Sequence, residues 1–151
     1  MKKNLKVLAV LICAAFALCF TQCSKPTENL IVGSWNVVEM VITETYNGET
    51  EVDHEDIDDG ESIVFTFNND NTMNVVSVMI DDGITETETS EGTYTIDGDK
   101  ITMTQSGNEE KPETYNIETL NKQELVLSIA YTEMIDDMPY SASIKIIMKR
   151  K

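Results

Sequence analysis

The chain has 151 residues, with 27 acidic and 11 basic side chains and a formal net charge of −16 at pH 7. A charge this negative argues against nucleic acid as a partner and against electrostatic docking on anionic lipids. The length fits a single domain. Cys23 is the last cysteine, so no disulfide can form within the chain that follows it.

The first 22 residues have the pattern of an export signal. Lys2, Lys3 and Lys6 give a positively charged start, and an apolar run follows over residues 7–20. That run is short for a membrane-spanning helix, which needs about 20 apolar residues, and it fits the core of a secretory signal. We therefore predict a signal peptide over residues 1–22.

The sequence FTQCSK around Cys23 resembles the lipidation motif of bacterial lipoproteins. This resemblance implies that Cys23 becomes the first residue and carries acyl chains such as palmitate, with residues 23–29 as a short tether. Ser24 then favours the outer membrane, on its periplasmic or its outer face. The acyl chains would supply the membrane affinity, at about 0.8 kcal/mol for each buried methylene. The alternative is a free thiol at Cys23.

From residue 30 onward, apolar and polar residues alternate and turn residues recur at short intervals, which is typical of an all-β sandwich or barrel. Eight strands are predicted, over residues 34–46, 61–68, 72–80, 84–96, 100–105, 113–120, 125–133 and 140–149. Residues 47–60 form a long acidic segment, and no substantial helix is predicted. Short connections favour antiparallel neighbours that close into an up-and-down barrel over residues 30–151, without an exposed edge. A sandwich is the alternative.

Five further segments follow the Cys23 motif in order: IVGSW, FTFNNDNTM, GTYTIDGDKITMT, TYNIETLNKQELVL and IKIIMKRK. Together with that motif they resemble the lipocalin-like domain of small bacterial lipoproteins. The resemblance implies that Gly33 and Trp35 lie at the closed end, where a basic residue near the last strand covers the tryptophan. Arg150 is the sole arginine and shares the inward parity of Ile146 and Met148. We predict a cation–π contact between Arg150 and Trp35; the alternative is a solvated terminus.

The large inward side chains of the predicted strands are the candidates for lining a cavity. They are Phe65, Phe67, Val76, Val78, Tyr94, Met103, Tyr115, Leu127, Tyr131 and Ile144. A barrel of eight strands is either filled by its own side chains or holds one small ligand. Two functions therefore remain open: binding of a small neutral apolar ligand, or a filled barrel that acts as an interaction module.

The predicted loops at the end opposite Trp35 are acidic. They contain Glu49, Glu51, Asp53, Glu55, Asp56, Asp58, Asp59, Asp81, Asp82, Glu109, Glu110, Asp136 and Asp137, with Lys111 as the one lysine. Like-charge repulsion disfavours anionic ligands there and favours a neutral molecule, a cationic partner or a divalent cation. Simple solubility is the alternative. Asp56, Asp58 and Asp59 are weak calcium candidates, because the segment does not match the EF-hand spacing.

Enzyme chemistry has few candidate residues in this sequence. His54 is the only histidine and is expected to be a solvated loop residue. No cysteine follows Cys23, no glycine-rich phosphate loop occurs, and an aromatic-lined cleft of the kind a glycosidase needs is not predicted. We therefore predict a monomeric protein that is not an enzyme and has no cofactor.

Overall fold

The computed structural model describes residues 26–106, 112–135 and 138–151. These residues form a short helix, α1 (Pro26–Ile31), and the strands β1 (Gly33–Tyr46), β2 (Glu49–Asp56), β3 (Ser62–Phe67), β4 (Thr72–Asp81), β5 (Ile84–Asp97), β6 (Lys100–Gln105), β7 (Glu113–Leu120), β8 (Glu124–Ile135) and β9 (Met138–Arg150). Within the described ranges, no helix has the length and apolar character needed to span a membrane. The predicted signal peptide and Cys23 lie outside the described residues, and α1 occupies part of the predicted tether.

The strands form one antiparallel sheet that closes on itself, because β9 pairs with both β8 and β1. One edge of β1 has two partners: β3 beside its first residues and β2 along the remainder. β2 and β3 therefore share one position around a ring of eight positions. The predicted eight-stranded up-and-down barrel is confirmed, and the sandwich alternative is wrong.

The acidic segment over residues 47–60 contains a strand that the sequence analysis does not predict. Asn47 (φ 51°) and Gly48 (φ 82°) both have positive φ, as the two central residues of a type I′ hairpin turn require. β2 then pairs with residues 39–46 of β1 without a register shift. Its sequence, ETEVDHED, has few β-favouring residues, so pairing with the long β1 and not its own propensity makes it a strand.

The hydrophobic core fills the half of the barrel nearest α1. Its buried members are Ile31, Trp35, Val37, Phe67, Met73, Tyr94, Ile101, Met103, Leu125, Leu127, Ile146 and Met148. The Phe67 and Tyr94 rings meet edge to face, with their centroids 5.0 Å apart. Burying each large apolar side chain contributes about 1.5–3 kcal/mol, so this half is held together by its own packing. We call it the closed half.

Toward the other end the ring of hydrogen bonds is incomplete. β4 and β5 stay paired up to Asp81 and Ile84, beyond the residues that pair with β3 and β6. Across from them, β2, β1, β9 and β8 continue as a four-stranded sheet. We name residues 39–56, 129–135 and 138–146 the large flap, and residues 79–91 the small flap. The barrel therefore opens between two separate pieces of sheet.

Candidate functional site

Trp35 is fully buried at the closed end, and its ring is covered by Arg150. The guanidinium carbon lies 4.1 Å from the ring centroid, so the two side chains form a cation–π contact. Trp35 Nε1 donates a hydrogen bond to the carbonyl oxygen of Ile31 at 2.7 Å. The tryptophan thus packs under the last turn of α1, and its single polar atom is satisfied.

Arg150 connects three segments of the chain at this end. Its Nε donates to the carbonyl oxygen of Lys122 at 2.9 Å, Nη1 donates to that of Val32 at 3.0 Å, and Nη2 donates to that of Leu30. Gly33 (φ 132°) lies so close that a Cβ there would be 2.5 Å from Nη1. The closed end is therefore a packed plug around Trp35 with its polar groups already paired. A pocket of about 330 Å³ lies beside it, bordered by Asn29, Val32, Asn69, Asn71, Tyr94, Thr95 and Ile96.

Most of the predicted cavity residues are packed core and not the lining of an empty space. Phe67, Tyr94, Met103 and Leu127 are buried in the closed half. Phe65, Tyr115 and Ile144 are partly buried and pack against that core. Tyr131 lies higher, on the large flap, with 47% of its surface exposed.

Val76 and Val78 do not face the interior, so their predicted orientation is wrong. Phe65 on the inner face pairs with Val75, and Phe67 pairs with Met73. Because directly opposed residues of an antiparallel pair point to the same face, Val75 and Met73 are the inward residues of β4. The predicted alternation of inward and outward residues in β4 is shifted by one residue. Such a shift moves every side chain of the strand to the other face.

The inner face of the open half carries large apolar side chains in contact with solvent. By register they face the same space as the core: Tyr46, Met79, Ile84, Tyr131 and Ile135. The exposed fraction reaches 64% for Ile84. Partly buried Met40, Ile63, Val75 and Ile144 lie below them, against the core. The sequence analysis identifies only Tyr131 and Ile144 of these as candidates; continuing the alternation of each strand to its tip would have found the others.

Carboxylates share this inner face instead of lying in loops. On the large flap they are Glu44, Glu49, Glu51, Asp53, Glu55 and Glu133, and on the small flap Asp81, Glu86 and Glu88. Within the described residues of the two flaps, no lysine or arginine lies on the inner face. Of the predicted acidic residues, Glu109, Glu110, Asp136 and Asp137 lie outside the described ranges, as does Lys111.

A pocket of about 510 Å³ lies at the tip of the large flap, and another of about 350 Å³ lies along the small flap. The first is bordered by Glu44, Tyr46, Glu49, Thr50, Glu51 and Tyr140. There the Tyr140 hydroxyl donates to Glu44 Oε1 at 2.5 Å. This hydrogen bond raises the pKa of Tyr140 to about 12, because ionisation would remove the donated proton and place two negative charges together.

The outer face of the large flap presents the one histidine and a groove of about 540 Å³. His54 Nδ1 lies 2.7 Å from Glu39 Oε1, and Lys145 pairs with Glu118 at 2.9 Å. The hydrogen bond from Lys145 lowers the pKa of Glu118. The titratable side chains that border this groove therefore already have partners.

No group of three or more His, Cys, Asp or Glu side chains in residues 26–106, 112–135 and 138–151 is arranged to hold a metal ion. The predicted weak calcium candidates Asp56, Asp58 and Asp59 are not brought together as such a group. Asp56 ends β2, whereas the other two lie in the connection to β3. The calcium interpretation therefore gains no support.

A closed antiparallel barrel of eight positions, plugged by a tryptophan at one end and open at the other, defines a lipocalin-like protein. The sequence model of the family described as "Lipocalin-like domain" matches residues 31–127, and the chain belongs to this family. The matched region runs from the last residue of α1 into β8, so it covers Trp35, β2 and both sides of the small flap, and it ends before β9 and Arg150.

Two solved structures are similar to the chain. A lipocalin-like protein from Bacteroides uniformis ATCC 8492 is 17% identical, with a TM-score of 0.48 over 80% of this chain and 98% of that chain. An uncharacterized protein from Bacteroides eggerthii DSM 20697 is 14% identical, with a TM-score of 0.48 over 80% of this chain and 99% of that chain. No curated protein matches the sequence.

Proposed function

We propose that this protein binds a small, neutral, apolar ligand in the open half of the barrel. The observation that supports the proposal is the set of exposed apolar side chains on the inner face, above the packed core. Soluble proteins seldom leave large apolar groups gathered around one concave space unless a ligand or partner covers them. Tyr131 on the large flap and Ile84 on the small flap both belong to this inner face.

The residues around this space restrict the position and the charge of the ligand. The closed half is filled by its own side chains, so the ligand lies above the core and between the flaps. The inner-face carboxylates, such as Glu44 and Glu88, repel an anionic head group. A free fatty acid is therefore a poor ligand, and an uncharged apolar molecule is favoured.

A pair of fluorescent dyes tests this proposal. N-phenylnaphthylamine is neutral, whereas anilinonaphthalene sulfonate has a similar ring system and a negative charge. We expect the neutral dye to bind and the anionic dye to bind more weakly by about tenfold or more, which corresponds to about 1.4 kcal/mol. Equal binding of both dyes would show that the carboxylates do not select against anionic ligands. No binding of the neutral dye would contradict the proposed ligand site.

Two variants of one strand locate the site. Tyr131→Ser removes an inner-face ring, and Met134→Ser removes an exposed apolar side chain from the outer face. We expect Tyr131→Ser to weaken dye binding about tenfold, because it removes about 1.5 kcal/mol of apolar contact. Met134→Ser should bind as the unaltered protein does; an equal loss in both variants would place the dye elsewhere.

We further propose that acyl chains on Cys23 hold the domain at the outer membrane. The support is the resemblance of FTQCSK to a lipidation motif, together with the signal-like pattern before it. The acidic domain would gain little from anionic head groups, so the lipid would act alone. We expect the protein to sediment with the cell envelope and its Cys23→Ser variant to be released; a variant that stays with the envelope would contradict the anchor.

A filled barrel that acts as an interaction module is the second candidate. The observation that favours it is that the closed half is filled by its own buried side chains, such as Phe67, Tyr94 and Leu127. Native mass spectrometry of the protein purified from its host distinguishes the two functions. A bound mass of ligand size favours the first function, and a bare chain favours the second.

A further inference from the structure

The edge of β2 that faces away from β1 is an open sheet edge. Among the described residues, β2 pairs with β1 alone. The type I′ turn makes Tyr46 and Glu49 the first hydrogen-bonded pair of the hairpin, so the peptide groups of Glu49, Glu51 and Asp53 point toward β1. The alternate residues Thr50, Val52 and His54 therefore direct their N–H and C=O groups outward, away from β1.

The edge of β4 that extends beyond β3 is also without a neighbouring strand, but there a side chain bonds to the backbone. The edge of β2 differs from it in this respect. Where β4 extends beyond β3, the N–H of Ile80 donates to Glu61 Oε1 at 2.8 Å. Within the described residues, no comparable side-chain hydrogen bond reaches the outward backbone groups of β2. Protein sheets usually cover or block an edge of this length, because it is a template for another strand.

The side chains of β2 decide what kind of strand can add. Glu49, Glu51, Asp53 and Glu55 form one row on the inner face, and Glu44 of β1 lies directly opposite Glu51. Like charges in opposed positions destabilise a sheet, and the described inner face of the flaps offers them no lysine or arginine. A second acidic strand would add to this repulsion, so the edge is blocked against another copy of this chain.

A strand with a basic residue at every second position would relieve that repulsion. Its cations would lie opposite the acidic row, while its other side chains would cover Val52, which is 50% exposed on the outer face. We propose that the β2 edge receives an extended basic segment of a partner protein by strand addition. Backbone hydrogen bonds provide the attachment, and the alternating charges provide the selectivity.

A synthetic peptide tests the proposal directly. The probe is a blocked octapeptide of alternating lysine and threonine, titrated calorimetrically at low salt. Its control has the same composition but carries four lysines in a block followed by four threonines, so its net charge is identical. We expect the alternating peptide to bind about tenfold more tightly than the block peptide; equal affinities would mean charge attraction alone and would overturn strand addition.

Two variants at one position separate backbone pairing from side-chain contact. Val52→Pro removes an outward N–H without removing a hydrogen bond to β1, and it should weaken the alternating peptide about tenfold. Val52→Ala keeps that N–H and should stay within about threefold of the unaltered protein. An unchanged affinity in Val52→Pro would overturn the proposal.

Hydrogen exchange and a modified peptide provide readouts that need no variant protein. Binding should slow amide exchange at Thr50, Val52 and His54. The alternating peptide with N-methyl groups on one backbone edge should bind at least about tenfold more weakly, because it lacks those donors. Unchanged exchange at β2, or full affinity of the methylated peptide, would contradict strand addition even if Val52→Pro fails to fold.

Discussion

Arg150 is the best position at which to measure what holds the closed end together. Arg150→Met removes the guanidinium and keeps an apolar stem of similar length. It deletes the three hydrogen bonds to the carbonyl oxygens of Leu30, Val32 and Lys122 and the contact with the Trp35 ring. These contacts join α1 and the connection between β7 and β8 to the end of β9. Their loss should therefore lower the free energy of unfolding of the whole barrel.

The expected magnitude follows from these four contacts. A hydrogen bond from a charged donor is worth about 1.5–3 kcal/mol when it is shielded, and a cation–π contact about 0.5–2 kcal/mol. Because Arg150 is exposed at its outer side, water can replace part of each hydrogen bond, and we take about 1 kcal/mol for each of the four contacts. The total is about 4 kcal/mol, which lowers the melting temperature of a domain of this size by roughly 15 °C.

The assay is urea and thermal unfolding followed by the fluorescence of Trp35, the only tryptophan in the chain. Arg150→Lys keeps a cation near the ring but loses the planar fork, and we expect about half of the full loss. Lys149→Met is the matched control, because the ion pair of Lys149 with Glu124 is exposed and such pairs contribute about 0–1 kcal/mol. A loss below about 1 kcal/mol in Arg150→Met, or a lysine variant as stable as the original, would refute this reasoning.

Three further substitutions test local features of the fold. Gly33→Ala should cost about 2–3 kcal/mol in urea unfolding, because its positive φ strains any side chain and a Cβ would displace Arg150; a cost below about 0.5 kcal/mol would contradict that contact. Gly92→Ala should destabilise by a similar amount, since a Cβ at this buried position would collide with the backbone of β6, and an unchanged urea midpoint would show that β6 can move aside. Hydrogen bonds from Thr72 to the Asp70 carboxylate lower the pKa of Asp70 below the ordinary 3.8. Thr72→Val removes the hydroxyl donor, so the pKa of Asp70 should rise in an NMR titration. Because folding lowers this pKa, its contribution to stability is present above pH 3.8 and is lost as the pH falls through the folded value; an identical Asp70 titration in both proteins would exclude the hydroxyl as the cause.

The barrel and its plug could be predicted from the sequence because both depend on local patterns. Alternation marks the strands and short turns join neighbours. An even number of positions around the antiparallel ring, eight, brings the start of β1 beside the end of β9. Trp35 and Arg150 are directly paired across these two strands. The resemblance to the lipocalin-like domain supplies the expectation that a basic residue covers the tryptophan, and the parity of the last strand indicates Arg150.

The errors arose where local pattern does not decide the outcome. β2 is built mostly from residues with low strand propensity, and only the extra length of β1 provides its partner. The orientation of Val76 and Val78 depends on how many residues the preceding turn uses. Asn71 has a positive φ (65°) and belongs to that turn, so Met73 becomes the residue opposite Phe67. A difference of one residue there reverses the two faces of β4.

The structure of the open end differs from the sequence-based prediction more than that of the barrel does. The acidic residues of Glu49–Asp56 are predicted to lie in a loop, but they alternate with Thr, Val and His along the paired strand β2. On β5, within a strand that the sequence does predict, Glu86 and Glu88 also point inward while Thr85, Thr87 and Thr89 point outward. Charge therefore faces the inner space of the open half, and the outer face of the small flap is largely uncharged.

This arrangement allows salt to distinguish the two proposed interactions. The Debye length falls from about 10 Å at 0.1 M to about 3 Å at 1 M, so carboxylates such as Glu51 and Asp53 lose most of their attraction for a basic strand over that range. Apolar contact with Tyr131 and Ile84 is not screened, and salts that are excluded from the protein surface strengthen it. Raising the salt concentration should therefore release the lysine–threonine peptide while the neutral dye stays bound. If both are released together, one electrostatic surface explains both observations, and the separation of an apolar mouth from a strand-accepting edge is wrong.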